Sequence, residues 1–100
     1  MAKLTIVYWR DIPAQVIAKE KRTAAKRVLP ERFEKAIDRA AMRSGARDTD
    51  AYLAEWRRGE PTPCGDDLEA EAAAAAARLE AEFDDDRLAK LVAAGGTEVA

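Results

Sequence analysis

The chain contains no histidine. A Ser–His or Cys–His nucleophile pair therefore cannot be assembled from its own residues. Imidazole-ligated zinc and iron sites are excluded with it, and no side chain titrates near neutrality by default. Cysteine is nearly absent too: Cys64 stands alone, so no internal disulfide can form, which suits a reducing cytosol. Long apolar runs are missing. Leu4–Trp9 spans six residues before Arg10-Asp11, too short for a secretion signal or a membrane span. The expectation is a cytoplasmic protein. The five glycines, at 45, 59, 65, 95 and 96, mark boundaries and build no phosphate loop.

What is present is uneven. The length of 100 residues fits one domain with a single modest core. Residues 1–60 hold 14 Lys and Arg against 9 Asp and Glu, a net of +5, while residues 61–100 hold 3 against 10, a net of −7. The change falls at Gly59-Glu60-Pro61-Thr62-Pro63-Cys64-Gly65. Both Trp and both Tyr lie before it. Ala contributes little burial energy, so the expected core is Leu4, Ile6, Tyr8, Val16, Ile17, Val28, Leu29, Phe33, Ile37, Leu53 and Trp56.

Lys3–Arg10 alternates Leu4, Ile6 and Tyr8 with Thr5, Val7 and Trp9. Both faces are apolar, which predicts a central strand covered on both sides. Arg10-Asp11-Ile12-Pro13 reads as a turn, with Pro13 closing the strand. Residues 14–18 and 25–29 are read as two further strands around a charged tip at 20–23, although a helix over 14–27 competes on composition. Pro30 opens a helix whose stripe is Phe33, Ala36, Ile37, Ala40 and Ala41. On its outer surface Glu31 and Lys35 attract one another, while Glu34 and Asp38, also one turn apart, repel. Gly45 ends the helix. Asp48 or Thr49 caps a second helix over 50–58 with Tyr52, Leu53 and Trp56 inward.

Past the break, Asp66 and Glu69 have capping-box spacing. A helix from 67 to about 83 carries the stripe Leu68, Ala72, Ala75, Ala76, Leu79 and Phe83. Asp84-Asp85-Asp86 reads as a break and a new helix start, with a single helix over 67–94 as the lesser alternative. Leu88, Leu91 and Val92 form the next inner face, and Gly95-Gly96 ends it.

Each possible site has a plainer counterpart. Cys64 precedes a helix start, which favours thiolate, but Asp66, Asp67 and Glu69 oppose it, and no histidine can act as base. It reads as a non-catalytic cysteine. Asp84–Asp86 with Glu80 and Glu82 could attract a divalent cation, but their spacing lacks a calcium loop's pivot glycine and reads better as a solvated helix start. No metal or cofactor is expected. Lys19, Lys21, Arg22, Lys26 and Arg27, with Glu20, give a net of +4 beside Tyr8 and Trp9. That can serve single-stranded nucleic acid, yet the pI of 5.2 is a poor footprint for it. A charged hairpin tip or a contact for an acidic partner is the preferred reading. Arg57 and Arg58 at a helix end complement its dipole, or could grip a phosphate or carboxylate.

Three strings carry a resemblance: residues 6–18, from Ile6-Val7-Tyr8-Trp9-Arg10-Asp11-Ile12-Pro13 through Ala18; residues 29–42, opening Leu29-Pro30-Glu31-Arg32-Phe33; and residues 49–56, Thr49-Asp50-Ala51-Tyr52-Leu53-Ala54-Glu55-Trp56. Together they resemble a small bacterial domain family known as virulence factor, over about residues 3–90. A related segment occurs in the larger conserved virulence factor C proteins. The family implies no catalytic residues. Stand-alone proteobacterial members accompany folate- and corrinoid-dependent methyl-transfer proteins, so the resemblance also implies an accessory subunit.

The sequence thus predicts an α+β fold: a short antiparallel sheet over residues 3–29, packed by helices 31–44 and 50–58, followed by an acidic helical extension over 67–94. In domain terms this is a 1–58 core, a 59–66 linker, a 67–94 extension packed on the core or on a partner, and a frayed 95–100 tail. The expected function is protein binding without chemistry of its own. Nucleic-acid binding through 19–27 is the lesser reading, and no membrane is involved. The leading contact candidate is the Arg10-Asp11-Ile12-Pro13 turn beside Trp9, a Pro-braced polar loop, with an ordinary turn holding a local ion pair as its equal alternative. Lys21, Arg22, Arg57 and Arg58 follow.

Overall fold

The computed structural model describes residues 2–45 and 49–97. Its first half is an antiparallel meander: β1 (Lys3–Trp9), β2 (Ile12–Glu20) and β3 (Thr23–Val28). Thr5, Ile6 and Val7 form a β-branched centre in β1, Val16 and Ile17 one in β2, and two-residue turns join the strands, so the helix considered for 14–27 does not form. Two helices follow, α1 (Glu31–Ser44) and α2 (Thr49–Ala54), then β4 (Trp56–Arg58), β5 (Thr62–Pro63), α3 (Leu68–Glu82) and α4 (Asp85–Ala93). The order in the five-stranded sheet is β3-β2-β1-β4, and β5 also pairs with β1. The chain is α+β, and β1 is central as expected, but the cover expected on both sides is incomplete: Leu4 is buried on one face, while Lys3 is exposed and Thr5 half-buried on the other.

Four sequence expectations need correction. The helix over 50–58 stops at Ala54, and Trp56, Arg57 and Arg58 instead pair with Trp9, Tyr8 and Val7 of β1. The open ladder positions of β1 outweigh the helix preference of Tyr-Leu-Ala-Glu. Asp48, one of the two proposed caps, lies outside the described residues. Pro13 does not close a strand. It lies inside β2 opposite Tyr8, where the register skips Ala14 in a bulge, the place a residue without an N–H is tolerated. The segment 59–66 is more than a spacer. Gly59 donates to the Ile6 carbonyl (2.8 Å), Thr62–Pro63 form β5, and Cys64 donates to the Ala2 carbonyl (3.1 Å). Finally, residues 95 and 96 are not frayed, because both are buried and Gly96 accepts the Asp11 amide at 2.9 Å. Residues 98–100 lie outside the described residues.

Helix periodicity translated directly into packing. Phe33, Ala36, Ile37, Ala40 and Ala41 of α1 are all buried. So are Leu68, Ala72, Ala75, Ala76 and Leu79 of α3, and Phe83 just beyond it. Gly45 ends α1 with φ +82°, as a left-handed cap requires. The α3 cap is one residue later than the spacing suggested: Asp67, not Asp66, accepts the Ala70 amide, and Glu71 accepts from Gly65. Asp84 accepts the Arg87 amide and starts α4, so the three aspartates do break the helix.

α3 packs on β2 and β3, and α1 packs on β2 and α4. The polar contacts between the basic and acidic parts run mainly to backbone carbonyls. Arg32 donates to the Glu80 carbonyl (2.8 Å) and the Phe83 carbonyl, and pairs with Asp85. Arg43 donates to the Ala93 carbonyl at the end of α4. Arginines from α1 thus satisfy orphan carbonyls at the ends of both acidic helices.

Candidate functional site

Alternation along the strands sorts the sheet into two faces. Leu4, Ile6, Val16, Ala18 and Ala25 share one, and four of the five are buried, Ile6 being half-buried. α3 covers this face. The opposite face runs in three rows: Lys3–Lys19–Ala24, Thr5–Ile17–Lys26, and Arg58–Val7–Gln15–Val28. Val7 is buried, Thr5, Gln15 and Ile17 are half-buried, and the rest are exposed. Val28 is 72% exposed, against the expectation that it is core. This face carries Lys3, Lys19, Lys26 and Arg58 and no acidic residue. Lys3 and Lys19 stand directly opposite one another, a like-charge pair that costs stability, and neither makes an ion pair among the described residues.

The leading turn behaves differently. Arg10 and Asp11 form the whole connection between β1 and β2, and Arg10 sits at φ +53°. A non-glycine residue there is held by its surroundings. The Arg10 side chain donates to the Gly95 carbonyl (2.8 Å) and pairs with Glu55 (3.4 Å). Its amide donates to the Glu55 carbonyl. Arg57 donates to the Arg10 carbonyl at 2.9 Å, pairs with Asp11 at 3.2 Å and lies 4.6 Å over the Tyr8 ring. Trp9 is fully buried, stacked on Tyr52, with its indole donating to the Tyr52 carbonyl. It belongs to the core, from which the sequence reading omitted it. Trp9, Arg10, Asp11 and Arg57 are thus brought together as a clasp joining the hairpin, β4 and the segment after α4.

The other candidates lie apart. Lys21 and Arg22 occupy the β2–β3 turn, at the opposite end of β2, and both are exposed. Arg58 belongs to the basic sheet face. Lys3, Lys19 and Lys26 as a set were missed. Their signal was the alternation with Leu4, Ala18 and Ala25, which becomes visible only once the strand register is known.

A cleft of about 570 Å³ lies between the sheet and α3, where Arg57, Arg78 and Arg87 are matched by Asp11, Glu60 and Glu82. Its balanced charge gives it no preference for an anion. Cys64 is half-buried, and desolvation, then the carboxylates of Glu71, Asp66 and Glu20, push its thiol above the ordinary value. That disfavours the nucleophilic thiolate. No group of three metal-ligating side chains occurs among the described residues, and no described helix is long and apolar enough to cross a membrane.

The family model described as "Virulence factor" matches residues 7–92. No curated protein and no solved structure matches. The matched span runs from within β1 to the last turn of α4 and takes in Trp9, Arg10, Asp11 and Arg57, so the chain belongs to the virulence factor family.

Proposed function

We propose that this chain is a protein-binding accessory module of a bacterial cytoplasmic complex, with no chemistry of its own. The observation that carries the reading is the basic, half-apolar sheet face. Four cations surround Thr5, Ile17 and Val28 without a single acid among them. Such a face lowers its own energy by meeting acidic side chains around an apolar centre. The occupant is an acidic protein surface. Nucleic acid fits less well, because single-strand binding relies on a series of aromatic platforms, and among the described residues the accessible aromatics adjoining this face are Tyr52 and Trp56, both at one edge.

Affinity purification of the tagged chain from its native extract tests the proposal. The recovered protein is identified by mass and reconstituted from purified components. The complex is expected to form with the wild-type chain and to weaken at least tenfold with Lys19→Glu/Lys26→Glu, whose circular dichroism stays unchanged. A monomer under gentle conditions contradicts the proposal. Displacement of the recovered protein by an oligonucleotide at low salt would favour the nucleic-acid reading. If the recovered protein is a folate- or corrinoid-dependent methyltransferase, the complex is the methyl-transfer assembly.

A further inference from the structure

Where the basic face meets α1, its charge reverses. A cavity of about 310 Å³ opens beside Gln15 and Val28, walled by Tyr52 and Trp56 and rimmed by Glu34 and Asp38. The two rings stand edge to face, 83° apart with centroids 6.0 Å from each other. Two aromatic faces at a right angle form a corner whose electron-rich surfaces attract a cation. Glu34 and Asp38 are the like-charged pair one turn apart on α1, a spacing that costs helix stability. Neither makes an ion pair among the described residues, and no basic side chain is among those lining the cavity. Desolvation, then Asp38 and lastly Glu34, push the Tyr52 phenol above its ordinary value against a hydrogen bond from Trp56.

We infer that this corner receives an arginine side chain of the protein partner, its guanidinium stacked against Tyr52 or Trp56 and hydrogen-bonded to Glu34 and Asp38. Arginine suits the corner better than lysine. Its planar fork stacks on aromatic rings, serves two carboxylates at once and is less strongly hydrated. A partner crossing the sheet would then present acids to Lys19 and Lys26 and one arginine to the cavity, and this bipolar pattern fixes its direction. The source of the arginine rests on the protein-binding reading; the cavity's preference does not.

The test uses the full chain labelled with ¹⁵N and three blocked peptides, acetyl-Gly-X-Gly-amide, with X as arginine, lysine or citrulline. Citrulline keeps the shape of arginine and lacks its charge. The two indole N–H signals separate the sites, because Trp9 is buried and Trp56 lines the cavity. The arginine peptide is expected to shift the Trp56 signal saturably and by more than the Trp9 signal, which reaches the cavity only through Tyr52. Affinity should fall at least tenfold for citrulline, fall for lysine, and fall at least tenfold for the Glu34→Gln/Asp38→Asn chain. Equal affinity for arginine and citrulline, or an unaffected double variant, overturns the inference. Tighter binding of the lysine peptide overturns the choice of arginine. These outcomes leave the affinity purification untouched, and a failed purification leaves the peptide comparison standing.

Discussion

The two hairpin turns of the sheet have the same length and the same backbone signature, yet opposite roles. Each connects its strands through two residues, Arg10-Asp11 and Lys21-Arg22, and each opens on a left-handed residue, with φ +53° at Arg10 and +54° at Lys21. Around the first, Glu55, Arg57 and the Gly95 and Gly96 carbonyls fasten the side chains and amides. Around the second, both side chains are exposed. A charged turn on a rigid hairpin looks like a contact site in either case. What separates them is where the chain returns 45 to 85 residues later. The turn that looked most like a docking site is fastened as an internal clasp, and the sheet face between the two turns is the surface we propose for docking.

The contrast can be broken first at Trp9. Its ring is fully buried beneath the clasp. Trp9→Ala should cost about 3–5 kcal/mol, a large share of the roughly 5–15 kcal/mol typical of a domain. Urea unfolding measures this, and a loss below about 1 kcal/mol would show that the clasp is not anchored in the core. Next is Gly96, whose φ is +96° and where an added Cβ would lie 2.8 Å from Trp9 Cζ3. Gly96→Ala should destabilise by about 1–3 kcal/mol, combining backbone strain with displacement of a buried ring. The same melt reads it.

Two matched glycine substitutions sharpen the comparison itself. Arg10→Gly relieves the left-handed backbone but removes the bonds to Gly95 and Glu55, and should lower stability by about 1–3 kcal/mol. Lys21→Gly relieves the same strain and removes no side-chain bond among the described residues, so stability should stay unchanged or rise by up to about 1 kcal/mol. Equal effects at both turns would erase the distinction. Smaller still is a pH effect. Tyr52 is raised above 10.0, first by desolvation and then by Asp38, against an opposing hydrogen bond from Trp56. Cys64 is raised above 9.0, chiefly by desolvation. The folded state therefore holds these protons more tightly than the unfolded chain does. The stability they contribute is complete below the ordinary values and is lost as pH rises through the raised ones. Melting temperatures between pH 8 and 11 should fall, and a rise would reverse the sign.

The helices were legible because their burial repeats with the helix period. Each stripe residue from Phe33 to Ala41 and from Leu68 to Phe83 returns to one side, and no distant contact is needed to find it. The meander was legible from Leu4–Trp9 and the turn residues. β4 was not, because Trp56-Arg57-Arg58 continues a helix-forming string and becomes a strand only through pairing with β1. The exposure of Val28 and Leu53 (72% and 56%) was hidden for a related reason. Apolar character tells which residues gain from burial, and it does not tell which face a helix will cover. The clasp could be read only as separate pieces. Arg10, Asp11 and Arg57 each stood out as polar residues at a chain boundary, and their mutual satisfaction is a tertiary fact.

The most direct test of the docking face is the affinity of the reconstituted complex for the Lys3→Glu/Lys19→Glu/Lys26→Glu chain, compared with Lys21→Glu/Arg22→Glu at the neighbouring turn. If a partner docks on this face, the first variant should lose at least tenfold in affinity, with an unchanged melting temperature, and the second far less. Equal affinity of the first variant and the wild type, or a larger loss at the turn, would contradict it.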